Sequence, residues 1–300
     1  MTKAAKQAER RAAVEARLED SRQWAEGVLE RLLPPAEGSF ATLHAAMRYA
    51  ALGGGKRVRA ALVRECSRRF GGQDDDAAPF AAAIECVHAY SLVHDDLPCM
   101  DDDDLRRGRP TVHKAWNEAV AVLAGDGLLT HAFLLLSRVR PVGAEAVLVL
   151  ADAAGSRGMV GGQALDLASN SKAAREQVEL IHRTKTAALI GAACELGALA
   201  GCARPMERAH ARDYGTELGL LFQAIDDVLD CTADAATLGK TPGKDADLDK
   251  ATLVAALGLD GARQVAALHA KRARDLALAL GAAEGELLHD LPETLLGRRA

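Results

Sequence analysis

The chain has 300 residues, 49% of them apolar, and a formal net charge of −5. Ala and Leu dominate the apolar content and only 3% is aromatic, which favours closely packed helices over sheets. The acidic balance excludes a broad electrostatic case for nucleic acid, and no segment shows convincing strand alternation.

Residues 1–33 mix Lys, Arg and Glu and lack a continuous apolar core. They read as an amphipathic helix stopped by Pro34-Pro35, not as a signal peptide. A helix over 40–52 ends at Gly53-Gly54-Gly55. Lys56-Arg57-Val58-Arg59 then enters a helix to about residue 70. Glycines followed by cations at a helix N-terminus suit an anion; a flexible turn with solvated cations suits the same residues. Gly71-Gly72-Gln73-Asp74-Asp75-Asp76 reads as a polar loop without a functional role.

Residues 81–93 are mostly small and apolar and predict a buried helix carrying His88, Tyr90 and Ser91. It leads into Asp95-Asp96-Leu97-Pro98-Cys99-Met100-Asp101-Asp102-Asp103-Asp104, six carboxylates in ten residues, followed by Arg106-Arg107. Such density repels itself and calls for a cation. Pro98 makes the chain bend there. A solvated acidic turn is one reading; an EF-hand loop is not, because its spacing and central glycine are missing. Arg106 and Arg107 suit either the neighbouring carboxylates or a phosphate gripped by a guanidinium fork.

Apolar helices are predicted over 115–139 and 144–160. Gly161-Gly162-Gln163-Ala164-Leu165-Asp166 follows, with Gln163 and Asp166 facing one way. A helix over 178–201 carries Lys185-Thr186, polar groups that need partners. A helix over 204–230 ends in a second acidic cluster. There Asp226 and Asp230 share a face, Asp227 adjoins them and Gln223 lies one turn back. Two such clusters on apolar helices suggest facing oxygen ligands for a hard divalent cation, Mg2+ rather than Zn2+. The segment 239–250, charged and marked by Gly and Pro, reads as a mobile loop. The rest is amphipathic helix, with Arg298-Arg299 as a frayed tail. The six cysteines show no metal spacing and read as buried small apolar residues in a reducing compartment. No linker divides the chain, and no apolar run is long and uncharged enough to span a membrane. A single domain over 1–300, with an N-terminal helix within 1–35 and a cytoplasmic location, is expected.

On these two clusters and the linking motifs the chain resembles the trans-isoprenyl diphosphate synthases, and within them bacterial farnesyl diphosphate synthases, from about residue 40 to 252. The resemblance implies an all-α isoprenoid synthase fold, with ten or more helices around an apolar cavity. It implies a Mg2+-dependent prenyltransferase; Asp230, Lys56 and Arg59 argue against a terpene cyclase, and two intact acidic clusters argue against a non-catalytic partner subunit.

 The activity it implies is condensation of isopentenyl diphosphate with dimethylallyl and geranyl diphosphates to farnesyl diphosphate; geranylgeranyl or geranyl diphosphate synthesis is the alternative. The matching motifs imply roles residue by residue. Asp95, Asp96, Asp101, Asp226, Asp227 and Asp230 would hold Mg2+. Gly55, Lys56, Arg59, His88 and Arg107 would bind isopentenyl diphosphate. Arg106, Lys185 and Thr186 would serve the allylic diphosphate, with Gln223, Lys240 and Lys250 beside them; Asp245 also aligns. Gln163 and Asp166 would stand next to the metal cluster. Tyr90 and Ser91 would set product length, a bulky Tyr90 favouring fifteen carbons. The resemblance also implies a homodimer.

Overall fold

The computed structural model describes residues 3–232 and 250–298; Lys240, Asp245 and Arg299 lie outside them. Helix α1 (Lys3–Leu32) buries Val14, Ser21, Ala25, Val28 and Leu29, a stripe at helical spacing that seats it on the bundle. A short 3-10 turn leads into α2 (Ala41–Ala51). Helix α3 (Val58–Arg69) follows the glycine run, and α4 (Asp74–Asp95) ends at the first acidic cluster. The run 74–76 is the first turn of α4, not a loop. Negative charge is favoured there, and Asp76 accepts from the Gln73 amide at 2.9 Å. Asp74 also has a role: it takes Arg64 Nη2 at 2.6 Å and Arg68 Nε at 2.9 Å, clamping α3 to α4.

A two-residue ribbon, β1 (Leu105–Arg106) against β2 (Arg109–Pro110), turns the chain after the aspartates. The single helix expected over 115–139 is two, α5 (Val112–Ala115) and α6 (Glu118–Ser137). Asn117 separates them, because its side chain accepts from the Val120 amide at 2.9 Å and caps α6. The helix expected over 144–160 is likewise interrupted between α7 (Gly143–Ala154) and α8 (Met159–Leu167), where the chain turns at Gly155 and Gly158. Helix α9 (Arg175–Ile181) runs through a π-helical turn, His182–Ala187, into α10 (Ala188–Ala200). Helices α11 (Pro205–Thr232), α12 (Leu253–Ala279, broken at Gly258) and α13 (Leu287–Leu296) complete the described chain.

Helix α10 is apolar all round and almost wholly buried, as a central helix must be. Its glycines bring backbones together: a Cβ on Gly197 would stand 2.3 Å from the Val63 carbonyl oxygen of α3. Tyr214 of α11 is fully buried and donates to the Leu288 carbonyl at 2.8 Å, tying α11 to α13. Helix α6 does meet the length and apolarity of a membrane span, against expectation; it packs on α2 and α4 and leaves Val122, Leu123 and Leu134 exposed. Three cysteines, Cys66, Cys86 and Cys194, are buried as expected, but Cys99, Cys202 and Cys231 are exposed.

Candidate active site

The loop before α3 is built around Arg57. Its backbone is left-handed (φ 48°) and its side chain is 3% exposed, between Glu26 of α1 at 2.8 Å and Glu85 of α4 at 3.1 Å. Glu85 also accepts from the Ala60 amide at 3.1 Å, at the first turn of α3. Sequence reasoning passed over both residues. The available signal was a lone carboxylate inside an apolar helix, which demands a cationic partner. Arg57 is buried in these contacts, whereas Lys56 beside it is exposed. Gly55 (φ 117°) comes so close to Arg107 that a Cβ would stand 2.7 Å from its guanidinium carbon. Arg107 in turn donates to the Gly54 carbonyl.

Arg59 lies deep but opens onto a cavity, and burial, then Arg107 nearby, lowers its pKa, opposed by Glu85. His88 lines the same cavity. Burial holds its pKa well below the usual imidazole value, and Arg59, Arg107, Arg57 and Arg106 push the same way. Burial also lowers the Lys56 pKa, as does Arg298, whereas Asp226 raises it. So much positive charge with so few carboxylates is a site for an anion.

At the end of α4, Pro98 stops the helix and the chain wraps so that the Asp101 amide donates to the Asp95 carbonyl at 2.8 Å. Asp95 lines the cavity, and burial pushes its carboxyl up to about 6; Lys185 and Arg106 oppose the rise, Asp101 and Asp96 add to it. Asp96 is turned elsewhere: it is 3% exposed and accepts from Arg106 Nε at 2.6 Å. The second cluster repeats this division. Asp227 is 2% exposed; it accepts from the Leu253 amide at 2.7 Å and from Gln223 Nε2 at 3.2 Å. Asp226 stands 3.8 Å from Arg298, which therefore reaches back to the site instead of fraying. Asp230 is buried on the same face of α11, at 4% exposure. Lys250 lies 3.8 Å from Asp101 of the first cluster.

The polar pair within the predicted 178–201 helix finds its partners through the π-helical turn. Gly162 lets α8 touch this turn, since a Cβ there would be 2.2 Å from the Lys185 amide nitrogen. Lys185 Nζ meets Asp166 at 2.6 Å, and Thr186 donates to Gln223 Oε1 at 2.9 Å. A π-helical turn inside a helix often marks a functional site. Gln163 also lines the cavity, and its buried Oε1 has no hydrogen-bond partner.

The cavity holds about 570 Å³. Arg59, Asp95 and Lys185 contribute charge to its wall, and Met100, Val122 and Met159 contribute apolar surface. Tyr90 and Ser91 line it too. A larger space of about 750 Å³ lies between α1 and α13, away from the aspartates, so volume alone does not pick out the site.

The two acidic clusters offer carboxylate oxygens, which a hard divalent cation takes. This donor chemistry fits Mg2+. Among the described residues no three such groups already converge as a ligand set. Instead Asp101, Asp226 and Asp166 lie beside Lys250, Arg298 and Lys185.

Comparison with known proteins places this arrangement. The farnesyl diphosphate synthase of Escherichia coli is 46% identical over 256 residues, covering 83% of each chain. Large subunit 1 of the heterodimeric geranylgeranyl pyrophosphate synthase of Arabidopsis thaliana is 46% identical over 246 residues, 78% of this chain. This chain spans 66% of that plant protein, just under two thirds of its length. Among solved structures, the geranyltransferase of Helicobacter pylori in complex with magnesium and isoprenyl diphosphate superposes with a TM-score of 0.80 at 33% identity, covering 94% of this chain and 96% of that one. The polyprenyl synthetase family matches residues 40–277, and the chain belongs to that family.

Proposed function

We propose that this protein joins isopentenyl diphosphate to dimethylallyl and then geranyl diphosphate, with farnesyl diphosphate as its main product. The observation that carries this reading is one cavity whose wall joins Asp95, Arg59 and Lys185 to a lining of mostly apolar side chains. Arg106 and Lys185 hold the allylic diphosphate and oppose the negative charge that grows as its C–O bond breaks. Asp96 and Asp166 fix those two cations in place. Thr186 and Gln223 present oxygen dipoles towards the allylic cation. Lys56, Arg59, His88 and Arg107 take the diphosphate of the second substrate. Mg2+, when bound, supplies charge neutralisation for the leaving diphosphate, with Asp95, Asp101, Asp226 and Asp230 to hold it. Asp227 braces α11 and α12 behind them. The apolar wall keeps water from the cation, and the departing diphosphate takes the proton, as the family resemblance implies.

Tyr90, a bulky ring in the cavity wall, favours the fifteen-carbon product. The geranylgeranyl pyrophosphate synthases among the relatives support the twenty-carbon alternative. The exposed Leu123 and Leu134 of α6 and Leu148 of α7 support a homodimer. Free thiols throughout the described cysteines support a cytoplasmic location. The decisive experiment incubates the protein with isopentenyl and dimethylallyl diphosphates plus Mg2+ and separates the dephosphorylated alcohols. Farnesol is expected; geranylgeraniol as main product selects the alternative, and no prenyl alcohol at all overturns the reading.

A further inference from the structure

Tyr90 and His94 sit one helical turn apart on α4, and both line the cavity. Their rings meet edge to face, with centroids 5.8 Å apart. Behind His94 runs α6. The imidazole Nε2 stands 3.1 Å from the Val122 carbonyl oxygen and 4.0 Å from the Asp126 carboxylate. It also fills the space in which a side chain at position 125 would begin: a Cβ on Gly125 would lie 2.1 Å from Nε2. The missing Cβ therefore makes a notch in α6, and the imidazole occupies it. The Tyr90 hydroxyl is buried and has no hydrogen-bond partner. Packing, not a hydrogen bond, thus sets the position of that ring, and the imidazole is one of its packing partners.

We propose that Gly125 and His94 are specificity-determining positioning residues: the notch receives the imidazole, and the imidazole fixes how far the Tyr90 ring closes the cavity to a growing prenyl tail. This rests on the prenyl-transfer reading above and assigns residues that control its product length. It predicts opposite effects from the two positions. Removing the imidazole opens room beside the Tyr90 ring, and the cavity deepens. Adding a methyl group at 125 expels the imidazole towards that ring, and the cavity becomes shallower.

The test compares the full chain with His94→Ala, Gly125→Ala, the double variant and His94→Gln, each supplied with isopentenyl and dimethylallyl diphosphates and Mg2+. His94→Ala raises the ratio of twenty- to fifteen-carbon alcohol by about threefold or more, on the scale of discrimination that one buried group provides. Gly125→Ala raises the ratio of ten- to fifteen-carbon alcohol by a similar factor of about three. The double variant follows His94→Ala, because no imidazole remains to be expelled. His94→Gln, whose amide reaches for the same carbonyl, keeps the parental ratio. Should Gly125→Ala not fold, the His94→Ala and His94→Gln pair decides. An unchanged ratio in His94→Ala, or a shift in the same direction from both single variants, overturns the proposal. A parent chain that makes no prenyl alcohol overturns the reaction reading itself, which is a separate result.

Discussion

The ammonium of Lys185 stands 2.6 Å from the Asp166 carboxylate, across the contact between α8 and the π-helical turn. The contact holds a mobile side chain at the edge of the cavity. Asp166→Asn keeps the shape of the partner and removes its charge. A charge-assisted hydrogen bond of this kind is worth about 1.5–3 kcal/mol, so kcat/KM for the allylic substrate falls by about tenfold or more. Steady-state rates with dimethylallyl diphosphate varied at saturating isopentenyl diphosphate check this.

Gly55→Ala brings a methyl group against the Arg107 guanidinium and forces a side chain into a backbone conformation that favours glycine. Both effects fall on the cationic loop. The expected outcome is a KM for isopentenyl diphosphate raised by about tenfold, with a much smaller change in the allylic KM. Varying each substrate in turn separates the two.

Titrating Mg2+ into the protein without substrate raises its thermal midpoint, because a ligand bound only to the folded state stabilises it. The gain is about 2.7 kcal/mol at a hundred times the dissociation constant. A chelator reverses the shift and stops turnover. Asp226→Ala blunts the midpoint rise, which differential scanning calorimetry measures.

Asp95 gives a pH dependence of known sign. Its carboxyl lies at about 6 in the folded chain against 3.8 for the unperturbed group, so the folded state binds the proton more tightly. Its contribution to stability is therefore lost as pH rises from about 4 to about 6. In chelator, Asp95→Asn becomes more stable than the parent across that window, and the difference levels off above it. Urea unfolding at stepped pH measures the difference; a constant difference contradicts the assignment.

The two aspartate clusters and the polar Lys185-Thr186 step were legible in the sequence because each breaks an apolar pattern; the Lys56 and Arg59 pair, after a glycine run, stood out only beside those clusters and through the family resemblance. The helical class was legible from Ala and Leu alone. What the sequence concealed depends on contacts between distant segments. Asp95 and Asp96 are chemically alike, yet one lines the cavity and the other holds Arg106. Asp226 and Asp227 divide in the same way, because α11 turns one face to the site and the next towards α12. The π-helical turn leaves no periodic signature, since one added residue is too short a change to read. Asn117 was a readable cap that the apolar run around it masked.

Arg57 has one anchor on α1 and one on α4. A shortened protein starting beyond Pro35 would retain every residue assigned to chemistry, yet the guanidinium would lose its Glu26 tether. The injury would surface far from the cut, as weaker grip on a phosphorylated substrate. The amino-terminal helix is thus a remote support for the cationic loop, and fusion partners attached there are best judged by substrate affinity as well as by yield.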